Sequence, residues 1–461
     1  MKYATIMALM CTAGMAAANQ PATTPAVKLT ESTQLTEPTV NPNPAWDDQW
    51  PTLEQDYLSD YVQLTFERDY IKAGESYFSP DGRMVIFQAI EIPGEGETAE
   101  AHYGMYLAVV KRDDDGNITG FGKAGRISQA GGSANTCGWF HPTDPKRVLF
   151  GTTSTAPTKQ DVVGFQRESS KYSWQFPVEM DIVAGEIKMT YALSDAAEAR
   201  AKKLIAEGNK EKPEITMDDF VSVPAIRERA PIWERDGYDA EGSWSPDGRH
   251  ILYTRLDPGS ANGDLWIYDT TDGTHTELIA EEGYDGGPFF SPDGTSICYR
   301  SDRNGDNLLQ IFVSTLEFDD NGKVVGIEKE TAITDNEHVN WCPFYTPDGK
   351  YLLYATSEVS HGNYEIYAVA ADGKHAPEDT YRMRISQARG FDGLPAFTKD
   401  GEWMIWTAQR GATRDGEDRP SSQLWTARID LEAIDRDYQL GQAKLIEQKE
   451  ADEFENYVPG S

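Results

Sequence analysis

Phe78-Ser79-Pro80-Asp81-Gly82, followed at once by Met84-Val85-Ile86-Phe87, is the stretch on which the fold turns. Proline presets φ for the first corner of a type I turn. Aspartate tolerates the second corner, and glycine takes the position where φ becomes positive. Three-residue hairpin loops are built this way, so the apolar run after the turn reads as a strand leaving a hairpin. The phrase is written five more times, as Phe140-His141-Pro142-Thr143-Asp144, Trp244-Ser245-Pro246-Asp247-Gly248, Phe290-Ser291-Pro292-Asp293-Gly294, Tyr345-Thr346-Pro347-Asp348-Gly349 and Phe397-Thr398-Lys399-Asp400-Gly401. Self-similarity at such intervals marks an array of small supersecondary units.

Each copy is followed by a short β-branched or aromatic run, such as Ile251-Leu252-Tyr253 or Trp403-Met404-Ile405-Trp406. These runs are bounded by turn signals and read as buried strands. A third strand follows in every unit (Leu265-Trp266-Ile267-Tyr268 in the third), and a fourth is visible in several (Thr276-Glu277-Leu278-Ile279). Four antiparallel strands repeated six times make an all-β, six-bladed β-propeller. A lone four-stranded sheet buries its apolar face poorly, whereas radial stacking covers both faces and leaves only short edges. The aromatic two residues before each turn proline, or before Lys399, is expected to be core. The last repeat shows no fourth strand directly after Ala427, and Val62-Gln63-Leu64-Thr65-Phe66 has the character of one. The ring is therefore expected to be closed by an N-terminal strand paired with the last blade, with Ala443-Lys444-Leu445-Ile446 as the alternative latch.

Around this core we read residues 1–18 as a signal peptide, with Lys2, an apolar stretch from Ile6 to Gly14 and a cleavage site at Ala16-Ala17-Ala18. Residues 19–60 are a Pro/Thr-rich linker and lead-in, 61–429 the propeller, and 430–461 a C-terminal extension. One helix is expected, over 194–208 with Ser194 as N-cap, inside an insertion (186–232) between blades 2 and 3. A further insertion, 155–177, lengthens a loop of blade 2. The expected product is exported, periplasmic or secreted. The apolar stretch is too short to span a membrane, and a monomer is expected.

The formal net charge of -34 disfavours nucleic acid and anionic lipid as partners. After removal of the signal, Cys137, Cys298 and Cys342 remain. An odd number cannot all pair internally, and strand placement favours buried free thiols. No G-x-S-x-G elbow, H-E-x-x-H motif or phosphate-cradling loop occurs.

Seven residues before the turn proline, or before Lys399, stand Asn135, Asp239, Asp285, Asn340 and Asp392, with Ala73 as the exception. Strand alternation points Glu75 and Glu241, two residues on, to the same side. These seven oxygen-bearing side chains are the candidate ligand-binding ring at the channel mouth. Such a ring could hold calcium or another divalent cation, though no cofactor is required, or hydrogen-bond a protein or peptide. A strand-initial Asp or Asn also commonly accepts N–H groups of its own loop.

Together the Ser-Pro-Asp-Gly hairpins, the aromatic strand ends and Val62–Phe66 resemble the TolB-type, WD-repeat-like propellers of bacteria. Within that group the chain looks like exported six-bladed members carrying Gly237-Tyr238-Asp239-Ala240-Glu241 and Gly283-Tyr284-Asp285-Gly286-Gly287. The resemblance covers roughly residues 60 to 429 and implies a propeller that binds. It departs from TolB itself, because residues 19–60 are too few for that protein's N-terminal α/β domain. It departs from prolyl oligopeptidase-type enzymes, because 430–461 is too short for a hydrolase domain. The reading is an exported, non-enzymatic binding or scaffold protein of the cell envelope. The alternative is a metal-assisted lyase or hydrolase acting on an extracellular polymer.

Overall fold

The structure is a computed structural model that describes residues 49–158, 164–166, 171–173, 176–206 and 215–456. The segment read as a signal peptide lies outside the described residues.

Six sheets form the blades, and each runs from an innermost to an outermost strand. The innermost strands are Tyr70–Phe78, Asn135–Phe140, Tyr238–Trp244, Asp285–Phe290, Asn340–Tyr345 and Asp392–Phe397, for blades 1 to 6. Each touches the next, and Tyr70–Phe78 touches both Asn135–Phe140 and Asp392–Phe397, so the circle is complete. Five of the six hairpin turns follow one hydrogen-bond plan, and in blade 2 the His141 ring takes the place of the hydroxyl by accepting from the Asp144 amide at 3.2 Å. In blade 1 the Ser79 hydroxyl donates to Asp81 at 2.7 Å and accepts from the Met84 amide at 2.9 Å. Gly82 sits at φ 66° and its amide closes the turn on the Ser79 carbonyl. Strand-end aromatics such as Phe140 and Trp244 are buried in the core.

The ring is closed by an N-terminal strand, Leu58–Gln63, paired antiparallel with Gln423–Ile429 as the outermost strand of blade 6. Pairing starts four residues ahead of the expected Val62. The backbone of Leu64 and the hydroxyl of Thr65 then extend it to Leu424. A short helix, Trp50–Glu54, precedes the strand, so the end of the segment read as linker and lead-in is ordered. The alternative latch, Ala443 to Ile446, lies instead in a helix, Leu431–Asn456. This helix packs Ile434 and Tyr438 into the core of blades 5 and 6, and the Tyr438 hydroxyl accepts from the Ala370 amide at 3.0 Å.

The helical insertion precedes blade 3, as expected, but it also completes blade 2. Its flanks are the third and fourth strands of that blade, Asp181–Leu193 and Phe220–Pro231, extended into a long ribbon. The helix Asp195–Ala206 sits at the ribbon's far end, capped by the Ser194 hydroxyl accepting from the Ala197 amide at 3.3 Å. The ribbon leans on the outer edge of blade 1. There Lys123 donates to Asp195 at 3.0 Å and to Glu198 at 2.8 Å, and Ile187 and Ile226 join that blade's apolar cluster.

Candidate functional site: the central cavity

Each innermost strand carries a β-bulge at the same place. The pairing register slips between Gly74 and Ser76, Thr136 and Trp139, Ala240 and Ser243, Gly286 and Phe289, Trp341 and Phe344, and Gly393 and Ala396. The bulged residue stands five positions before the turn proline, or Lys399, and has positive φ in all six blades. The values are 41° at Glu75, 49° at Cys137, 58° at Glu241, 59° at Gly287, 47° at Cys342 and 57° at Leu394. For a residue with a Cβ this conformation costs roughly 1–2 kcal/mol. Strain of this kind collects where surrounding structure over-determines it, commonly at functional sites. A bulge also re-aims its side chain, and here all six residues line one cavity of about 550 Å³.

Two positions further along four of the six strands, aromatic rings fill the axis, with Ser243 and Ala396 at that position in blades 3 and 6. Tyr77, Trp139, Phe289 and Phe344 come from blades 1, 2, 4 and 5, and their ring centroids lie between 4.7 and 6.0 Å apart. Contacts between opposite blades (Tyr77 with Phe289, Trp139 with Phe344) mean that the rings meet across the centre and floor the cavity. Phe176, from the lengthened loop of blade 2, packs at 5.1 Å on both Tyr238 and Tyr284 and walls it on one side. Trp341 and Phe391, 5.8 Å apart, wall another.

Charge is unevenly held within this space. Glu241 accepts from the Tyr284 hydroxyl at 2.5 Å, from the Gly287 amide, and from Arg300 at 3.4 Å. Gly287 is needed there, because a Cβ would come within 1.7 Å of the Arg300 guanidinium. Arg300 thus takes the space that blade 4 leaves without a side chain. Glu75 is treated differently: it accepts long hydrogen bonds from Tyr77 at 3.3 Å and Thr136 at 3.4 Å, and contacts from Cys137, but forms no ion pair among the described residues. Burial pushes the Glu75 carboxyl above its ordinary range. A Cys137 contact opposes that shift, and the charge of Glu241 adds to it. Burial also pushes the Cys137 thiol well up and the Cys342 thiol to about 12. Burial thus favours the thiol over the thiolate, which is the nucleophilic form.

The expected ring of seven residues divides in two. Glu75 and Glu241 line the cavity, as does Asn135, but Asp239, Asp285, Asn340 and Asp392 do not. All five strand-initial residues are buried, at 5% exposure or less, which corrects the expected rim at the channel mouth. Each acid is committed to a guanidinium. Asp239 is 2.9 Å from Arg235 and 3.1 Å from Arg255, Asp285 is 3.0 Å from Arg303, and Asp392 is 2.6 Å from Arg410. Where the position is Asn, its amide donates instead, from Asn135 to the Tyr103 carbonyl at 2.7 Å and from Asn340 to Gln310 at 2.9 Å. A buried charge needs a paired, hydrogen-bonded partner, so the choice of acid or amide follows the local supply of arginine. Among the described residues, no three His, Cys, Asp or Glu side chains converge as a metal site.

Several cavity residues carry no mark in the sequence repeat alone. Arg300 lies in a second strand, and Phe176 in an inserted loop. The aromatic floor could have been found, since Tyr77, Trp139, Phe289 and Phe344 share one repeat position. So could the thiols, because Cys137 and Cys342 share the position of Glu75 and Glu241.

No protein-family model matches the chain. It is 24% identical over 254 residues to the Tol-Pal system protein TolB of Wolinella succinogenes, across 53% of this chain and 55% of that protein. It is 23% identical over 233 residues to the uncharacterized peptidase YuxL of Bacillus subtilis, across 44% of this chain and 32% of that one. The alignment with dipeptidyl-peptidase 5 of Porphyromonas gingivalis is 44% identical over 84 residues, 16% of this chain and 12% of that one. The chain thus spans about half or less of the length of these relatives. Among solved structures, TolB from Acinetobacter baumannii is matched with a TM-score of 0.42 at 15% identity, over 76% of this chain and 64% of that one. A putative TolB from Agrobacterium tumefaciens is matched at 0.40 and 14% identity, over 78% and 90%.

Proposed function

We propose that this chain is an exported binding protein of the bacterial envelope that takes a ligand, or a segment of a partner protein, into its central cavity. The observation that carries the reading is the alignment of all six bulged inner-strand positions, five of them strained, on one aromatic-floored chamber. Six bulges at one level are costly to maintain for packing alone, and concave chambers with a few convergent polar groups are the usual form of a binding site. The opening residues 1–18 and the net charge of -34 support export and a partner that is not a polyanion. The resemblance to TolB-type propellers supports a binding role.

The test is to block the chamber. Leu394→Trp places a large ring at a cavity-lining position, and an unchanged circular dichroism spectrum shows that the blades survive. Affinity capture from envelope extract should retain a specific partner or small molecule on the wild type and lose it on the blocked variant. Equal retention by both proteins overturns the proposal.

A further inference from the structure

Glu75 forms no ion pair among the described residues, although two cations share its cavity. Arg300 is engaged with Glu241 and Tyr284. Lys72 lies over the ring of Tyr103, at 4.4 Å. The wall around Glu75 is short of hydrogen-bond donors. Its carboxylate receives two long hydroxyl contacts and the Cys137 thiol and amide, none of them a cation, while Gln88 Oε1 and Asn135 Oδ1, buried in the same wall, receive no donor. Asn135 is 5% exposed and spends both amide hydrogens on the Tyr103 carbonyl and on Ser133, so the leftover oxygen is not a matter of which way the amide points. Tyr77 and Trp139 add aromatic faces close by.

A carboxylate with two unsatisfied amide oxygens and π faces asks for a cation that brings several donors at once. A primary ammonium has three N–H donors and is attracted to aromatic faces. A quaternary ammonium would meet the rings but leave the oxygens unsatisfied. We propose that Glu75 is the anchor of an ammonium subsite, and that the cavity takes a ligand whose primary amine pairs with this carboxylate while its body lies on the aromatic lining. This inference rests on the reading of the cavity as the binding site. The groups facing Glu75 are Tyr77, Tyr103, Thr136, Cys137, Glu241 and Arg300, and burial, with the charge of Glu241, holds its carboxyl up against the lowering effects of Cys137 and Arg300. A bound ammonium reverses that balance and draws the carboxyl down, so binding at a pH where the free carboxyl is protonated releases a proton.

Isothermal titration of the whole chain with phenethylamine and with its neutral analogue 2-phenylethanol tests this directly. The amine should bind at least about tenfold more tightly than the alcohol. Glu75→Gln should remove that preference, bringing amine and alcohol to the same affinity. Amine affinity on the wild type should fall as pH is lowered through the Glu75 titration, which keeps the test usable if the variant fails to fold. Phenylalaninamide and Nα-acetyl-lysinamide distinguish a chain terminus from a lysine side chain as the source of the amine, and preference for either over its neutral counterpart supports the subsite. Equal binding of amine and alcohol, or an amine preference that survives Glu75→Gln, overturns the subsite and leaves the cavity reading standing. No binding of any amine at millimolar concentration overturns the subsite as well. The cavity reading falls separately, if Leu394→Trp leaves partner capture intact.

Discussion

The guanidinium of Arg410 donates to the carboxylate of Glu54 at 2.7 and 2.9 Å across a sequence separation of 356 residues. The same group binds Asp392 at 2.6 Å and lies 4.2 Å from the Trp50 ring. Arg410, Glu54 and Asp392 are all buried. One cation therefore ties the lead-in helix to the innermost strand of blade 6, beside the strand that closes the ring.

Removing that cation leaves two buried carboxylates facing each other. Breaking a buried ion pair by deleting one partner costs about 3–5 kcal/mol, so Arg410→Met should lower unfolding stability in urea by that order. It should also free Leu58–Gln63 from its partner strand and expose the closing segment to limited proteolysis. A loss below about 1 kcal/mol, with the segment still protected, would show that strand pairing alone holds the ring.

Gly287→Ala tests whether Arg300 is held by shape. The new Cβ would stand 1.7 Å from the guanidinium, whereas at Gly116, also at positive φ, a Cβ meets nothing within 4 Å. Both variants bear the left-handed penalty, but only the first bears the clash. The expected difference in stability is about 1–3 kcal/mol, read by chemical denaturation of the two proteins side by side. Identical losses would mean that Arg300 moves aside freely.

Stability should fall as pH rises from about 4 to about 6. Asp181 and Asp264 are each pushed from 3.8 to about 6, first by burial and then by neighbouring acids, Asp239 and Glu234 for one, Glu277 and Asp285 for the other. A carboxyl that titrates higher when folded binds more protons in the native state through that window, so ionisation destabilises the fold and the penalty is complete above it. Asp269 and Asp272 work the other way. Arg249 and the hydroxyl of Thr271 outweigh burial at Asp269, and Lys323 heads the causes at Asp272, whose pKa drops to about 2. Their contribution is lost as pH falls below the ordinary carboxylate range. Asp181→Asn and Asp264→Asn should each stabilise the protein near neutral pH by on the order of 1 kcal/mol after screening, and should converge on the wild type at about pH 4. Thermal melts across that range check the sign.

The blade count, the closing of the ring and the hairpin chemistry were legible because they are local and repeated. Ser79, Pro80, Asp81 and Gly82 specify their turn without help from the rest of the chain, and the repetition of the phrase multiplies the signal. The helix Leu431–Asn456 was not legible as a helix: Ala433, Ile434 and Tyr438 are its fully buried apolar residues, and Leu440 stands exposed at 55%. Such a short apolar stripe on a long, charged segment carries little periodicity.

The candidate site was half legible. Strand alternation places Asp239 and Glu241 on one face, and the six bulges break that alternation between them. Asp239 turns to Arg235 and Arg255, while Glu241 turns to the axis. A sequence read two residues at a time does not register the extra residue in the strand.

The sequence by itself determined six turns, the strands they join and hence a closed circle of sheets, because each turn is an agreement among adjacent residues. Tertiary structure alone decided which oxygens face the cavity and which are neutralised. That outcome depends on where Arg300 arrives from the second strand of blade 4, and Arg303 and Arg410 from the loops after the second strands of blades 4 and 6, and on the packing that holds six bulges at one level.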